Sequence, residues 1–314
     1  MLHQLSFRRS PYQSFSYLVL LYAFALFFAA CISPVIYHLI QYWASIMPND
    51  LNQYLARKSF DDYFDRMRWI PLIVAFIWLV RTGKIEFWKK EDVYRKNNSM
   101  ISVYIKGICM GGLLMLFIVV VQYFFTDFTY EAHAFNFTNL VSIFSKAMLS
   151  AFVVGMLEEI VFRGIVLQAL KSAFKPITAI LLGALVFAYM HFKMPGAIWE
   201  ATDQTVSWDS GFFVAYYTLF GVFYSFKLIL FLNLFAMGLY LGVVIFRTGS
   251  LVYCIGMHSM FIVFLLSYYK LFKVQSVEHL KWLLGGSEIV NGLLPAIILG
   301  IFSVFVFLKK NKDV

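Results

Sequence analysis

The chain is 314 residues long, 61% hydrophobic and only 14% charged, with a formal net charge of +9 and a mean hydropathy of +0.75. Soluble domains carry about 25% charged residues, so this composition excludes a soluble globular protein and implies an all-α, polytopic transmembrane helical bundle. The basic excess does not point to a nucleic-acid partner, because the lysines and arginines gather in loops and at the ends, where membrane orientation and anionic lipid account for them.

A span needs about 20 apolar residues, and candidates occur near 16–40, 66–82, 107–125, 143–170, 176–192, 228–246, 251–269 and 290–308. The first follows Arg8 and Arg9 and runs on to about Ile40 with no small-residue cleavage site, so it reads as a retained span. The second is the weakest, its core WIPLIVAFIWLV being short. The stretch 212–226, FFVAYYTLFGVFYSF, reads as an aromatic helix lying at the interface, with a ninth short span or a re-entrant piece as the alternatives. No repeat, low-complexity tract or linker divides the chain, and 1–314 is expected to be a single integral membrane domain.

An even number of spans puts both termini on one side. The basic residues from Lys84 to Lys106, Lys171, Lys175, Arg247 and the tail KKNK make that side cytoplasmic. The opposite loops carry Asp127, Glu131, His133, Asp203 and Asp209, with Arg57, Lys58, Arg66 and Arg68 diluting the contrast. Short loops on an apolar chain fit a prokaryotic plasma membrane.

Several chemistries lose local support. Cys31, Cys109 and Cys254 fall in separate apolar runs, where a thiol behaves as a small hydrophobe. There is no HExxH and no Gly-x-Ser-x-Gly. Every aspartate lies outside the predicted spans, which removes an intramembrane aspartyl pair.

Against this background, Glu158, Glu159 and Arg163 stand inside the apolar run AMLSAFVVGMLEEIVFRGIVLQAL. Each ionised residue at membrane depth costs about 2.5–3.5 kcal/mol unless it is paired or lines a wet cavity. On an α-helix Glu159 and Arg163 form an i, i+4 pair in the favourable acid-first order. Glu158 points about 100° away from Glu159 and is free to face a cavity as a general-base candidate. His191 and His258 also lie at membrane depth in two other spans, and three buried polar groups are most economically satisfied by converging on one pocket.

These residues resemble a known family. EEIVFR at 158–163 and FAYMH at 187–191 are similar to the Glu-Glu-x-x-x-Arg and Phe-x-x-x-His motifs of the CPBP family of intramembrane proteases, the CAAX prenyl endopeptidases and bacteriocin-processing or immunity (Abi) proteins. GLYLGVVIFRTGSLVYCIGMH at 238–258 resembles that family's glycine-rich span, turn and second histidine, so a catalytic core is expected over 141–268. The resemblance implies an endopeptidase that cleaves a membrane-associated or lipidated protein or peptide. Glu158 and His191 would activate a water, His258 would stabilise the oxyanion, and Arg163 would brace Glu159, with Phe187 as pocket wall.

One position departs from the pattern. Where the family often has asparagine four residues after the second histidine, this chain has Ile262, leaving Asn233 or Ser259 as another donor, or a protein whose proteolysis is weakened or lost. No cofactor is expected; zinc on Glu158, His191 and His258 is the alternative. The functional alternatives are a peptide-binding or immunity protein of the same fold and a proton-coupled transporter.

Overall fold

The computed structural model describes residues 11–82, 99–192 and 205–308. The Arg8–Arg9 pair, the basic loop residues 84–98, Asp203 and the KKNK tail lie outside them. Eleven helices and one two-stranded sheet make up the described chain, which is all-α in class, as the composition implied. They are α1 (Pro11–Ile46), α2 (Asp50–Ala56), α3 (Phe60–Arg81), α4 (Met100–Tyr123), α5 (Phe137–Ala173), α6 (Pro176–Met190), α7 (Ser210–Ser225), α8 (Leu228–Thr248), α9 (Leu251–Leu271), α10 (Lys281–Leu284) and α11 (Leu294–Leu308). Strands β1 (Thr126–Tyr130) and β2 (Phe272–Ser276) pair antiparallel.

Among the described residues, five helices are long and apolar enough to cross a membrane: Val19–Ile46 within α1, α4, α5, α8 and α9. The eight predicted spans are therefore only partly matched. Helices α6 and α11 are helical where predicted but 15 residues each, about 22 Å at 1.5 Å per residue, shorter than a ~30 Å hydrocarbon core. Helix α3 is long enough, but Asp61, Asp62, Asp65, Arg66 and Arg68 crowd its first half. The aromatic stretch near 212–226 is the continuous 16-residue helix α7.

The chain forms two compact units, 1–82 with 189–226 and 83–188 with 227–314. In the first, α1 and α3 pack through Leu26, Ala29, Ala30, Phe60 and Phe64, joined by Val214 of α7. Gly211 at the start of α7 lies so close to the Ala30 carbonyl that a Cβ would sit 2.0 Å from it.

In the second unit, α9 is the central element, with Cys254, Met257, His258 and Phe261 all at or below 2% exposure. Small residues explain how its neighbours reach it. A Cβ on Gly107 of α4 would lie 2.2 Å from the Tyr253 carbonyl oxygen, and one on Gly256 of α9 would lie 2.2 Å from that of Tyr104. The α4–α9 crossing is thus a backbone-to-backbone contact with no flexible atom to give way. We expect Gly256→Ala to destabilise the protein by about 3 kcal/mol, the upper end for overpacking, measured as a lowered unfolding midpoint in detergent. Gly300, with nothing within 4 Å of its added Cβ, supplies the neutral control.

The sheet closes one end of this unit. Phe128 of β1 packs against Tyr268 and Phe272 with ring centroids 6.0 and 5.5 Å apart. The Tyr268 hydroxyl donates to Gln122 Oε1 at 2.6 Å, and Gln122 Nε2 donates to the Leu284 carbonyl at 2.8 Å, tying α4 and α9 to the turn after α10. Beside the sheet, Lys273 pairs with Glu131, and this hydrogen bond holds the Glu131 carboxyl below the usual carboxylate range. A depressed pKa means stability present above the unfolded carboxylate's pKa and lost as pH falls through the folded one. Wild type should accordingly exceed Glu131→Gln in unfolding midpoint at neutral pH, and the two should converge below pH ~4.

Candidate functional site

The site is built on a change of helix type. Helix α5 is α-helical from Phe137 to Glu159, π-helical from Ile160 to Val166 and α-helical again from Leu167 to Ala173. The regular α-helix expected across Glu159 and Arg163 is corrected here. Within the π segment Val161, Phe162, Arg163, Gly164 and Ile165 are all buried. π segments of this kind are frequent at functional sites.

The expected ion pair forms nonetheless. Arg163 Nη1 lies 2.8 Å from Glu159 Oε1, with Glu159 at 0% and Arg163 at 2% exposure. Nη1 makes no aligned hydrogen bond, so the contact is one of charge. Arg163 Nη2 donates to the Gly238 carbonyl at 3.4 Å. A Cβ on Gly238 would meet Ala184 Cα at 3.0 Å and Phe187 Cδ1 at 3.2 Å, so glycine is what brings α8 close enough to α6 to present that carbonyl.

His258 stands between the two glutamates. Its Nδ1 lies 2.8 Å from Glu159 Oε1, and its Nε2 lies 3.8 Å from Glu158 Oε2. A carboxylate accepts, so Nδ1 carries the proton in this pair and Nε2 faces Glu158; the tautomer is assigned from that network. Glu158 retains 15% side-chain exposure, whereas Glu159 is sealed. Adjacent carboxylates therefore occupy different environments: one is locked behind histidine and arginine, the other reaches toward the outside of the core.

Phe187 completes the wall. It is fully buried, with its ring 4.8 Å from the Arg163 guanidinium carbon, 4.9 Å from the Phe162 ring and 6.1 Å from the His258 ring. The constellation lies at mid-depth along α8: Gly238 has ten residues on either side in the 21-residue helix, about 15 Å each way.

Other predicted residues take different places. His191 stands in the first unit, one residue past the end of α6 and partly buried. Asn233 is 5% exposed, but its Nδ2 donates to the carbonyls of Val290 and Gly292, both at 2.8 Å. Both amide hydrogens are engaged, so Asn233 is a strut for the turn before α11 rather than a donor in reserve. Ser259 is buried at the α5–α9 crossing, with its Oγ 3.0 Å from where a Cβ on Gly155 would be. Ile262 packs against the apolar cluster of Ala147, Ala151 and Val263. The sequence reads Gly238 as a point of close helix approach, which it is, but not as a carbonyl acceptor; a glycine level with a buried arginine carries no such signal in one dimension.

Fold and site together define an integral membrane protein with a glutamate–histidine centre inside its helical core. Residues 140–264 match the family model described as type II CAAX prenyl endopeptidase Rce1-like, covering the α5 motif, FAYMH and the second histidine. The expected resemblance is borne out over those residues. No curated protein and no solved structure matches the chain.

Proposed function

We propose that the protein hydrolyses a peptide bond of a membrane-associated or lipidated peptide with a water activated by Glu158. The observation that carries this is the pair of inequivalent carboxylates flanking His258. A water about 2.8 Å from both Glu158 Oε2 and His258 Nε2 fits beside a 3.8 Å gap. Glu158 takes a proton from it as the oxygen attacks the scissile carbonyl carbon, then returns that proton to the leaving amine.

Glu159 fixes the His258 ring through Nδ1, leaving Nε2 as the nitrogen directed at the reacting atoms. When that nitrogen carries a proton it donates to the tetrahedral oxyanion, an interaction typically worth about 10²–10³ in rate. His191 is proposed to assist Glu158, on the family resemblance. Arg163 balances Glu159 and, through Gly238 and Phe187, holds the π segment in register.

We propose water rather than zinc between Glu158 and His258. Two ligands of a tetrahedral ion with bonds of about 2.0–2.1 Å lie ~3.3 Å apart, closer than this pair. Zinc bound stoichiometrically by the wild type and lost from His258→Ala would reverse that assignment. Both termini are proposed to be cytoplasmic in a prokaryotic plasma membrane, with membrane lipid and the peptide as partners.

A peptide-binding protein of the same fold without the reaction is the second reading, favoured by Ile262, which offers no hydrogen bond where the family often has an amide. Purified protein incubated with a lipidated peptide separates the two readings. Cleavage abolished in Glu158→Gln and His191→Ala supports the hydrolase; retention of uncleaved peptide by wild type supports the binder.

A further inference from the structure

We propose that Arg68 and Tyr22 form an anion-binding site inside the first unit that takes the oxyanion of a carboxylate or a phosphate. This site is independent of the hydrolytic reading above. Arg68 projects from the first half of α3 and is only 3% exposed. Its Nη2 lies 3.3 Å from Asp65 Oδ1, one turn earlier on the same helix. The phenol of Tyr22, on α1, lies beside the guanidinium. Among the described residues, Nε and Nη1 have no hydrogen-bond partner.

A guanidinium presents five N–H donors and stays charged, so burying it with two nitrogens unmatched is costly. Asp65 offsets this only in part, because its side chain is 34% exposed and meets a single nitrogen. Leu26, Ala30, Phe64 and Val214 form an apolar cluster between α1, α3 and α7. Arg163 shows the structural alternative in the same chain: a sealed counter-ion, a carbonyl acceptor and an aromatic face. Arg68 lacks that set. The donors left over suit two oxygens sharing one negative charge. A peptide carboxy-terminus and a lipid phosphate both supply that chemistry.

The test uses the full-length protein, delipidated in a non-ionic detergent at constant pH, with the unfolding midpoint followed against ligand concentration. The probes are inorganic phosphate, short-chain phosphatidylglycerol with diacylglycerol as its uncharged control, and an N-acetylated apolar peptide as free acid or amide. We expect a saturable rise with an oxyanion carrier and none with diacylglycerol or the amide. Response to phosphate and phosphatidylglycerol identifies the lipid source; response to the peptide acid alone identifies the carboxy-terminus. Arg68→Met should raise Kd about 10–100-fold, and Arg68→Lys and Tyr22→Phe less, about tenfold. Should Arg68→Met not fold, the last two variants decide. No saturable shift with any carrier, or an unchanged Kd in Arg68→Lys and Tyr22→Phe, overturns the proposal.

Discussion

Glu158→Gln should lower kcat by about 10²–10⁴-fold, the range for loss of a positioned general base, with the unfolding midpoint nearly unchanged. The amide keeps the shape of the carboxylate and its hydrogen-bonding reach, and the position retains 15% exposure, so the substitution leaves no sealed charge behind. What it removes is the ability to take a proton from water. KM for a lipidated peptide should stay within a few-fold, because Glu158 contributes to the chemical step rather than to holding the peptide. Equal loss from Glu158→Gln and Glu158→Ala marks a lost proton acceptor; loss in the alanine variant alone would mean that the side chain only fills space. Turnover undiminished in both would end the hydrolytic mechanism.

The chemistry of this site was legible for a physical reason. Membrane depth makes a charge conspicuous, and Glu158, Glu159, Arg163 and His258 could be picked out of apolar runs without any knowledge of packing. Their pairing was legible only in part. The Glu159–Arg163 contact follows from helical spacing, but the π segment over Ile160–Val166 has no signal in the local sequence. His258 bridging both glutamates depends on where α9 crosses α5, which Gly155 and Ser259 determine by close approach.

The sheet escaped notice because TDFTY and FKVQS are short, mixed in character and separated by 141 intervening positions, so neither signals a partner. Arg68 was misread as a loop charge. It sits where the polar start of α3 meets its apolar remainder, and one-dimensional hydropathy cannot say which side of a helix end a long side chain takes. Asn233 was legible as a buried polar residue but not as a strut, since its acceptors at Val290 and Gly292 lie far along the chain.

Glu159→Ala should cost about 3–5 kcal/mol, the penalty for removing one partner of a buried ion pair. The variant leaves Arg163, 2% exposed, with only the Gly238 carbonyl and the Phe187 face, and frees His258 Nδ1 from its acceptor. Stability and turnover should therefore fall together, which alone would not tell a brace from a catalyst. The double variant Glu159→Leu with Arg163→Met separates them. With both charges gone, an apolar pair of similar bulk can be as stable as the ion pair, so the unfolding midpoint should return most of the way to wild type. Turnover should not return, because the Nδ1 acceptor that orients His258 is still missing. A double-mutant cycle on unfolding would then show strong coupling between the two positions, while the same cycle on kcat would show that the second substitution restores nothing. Recovery of turnover alongside stability would assign Glu159 a packing role only, and His258 would need another group to fix its ring.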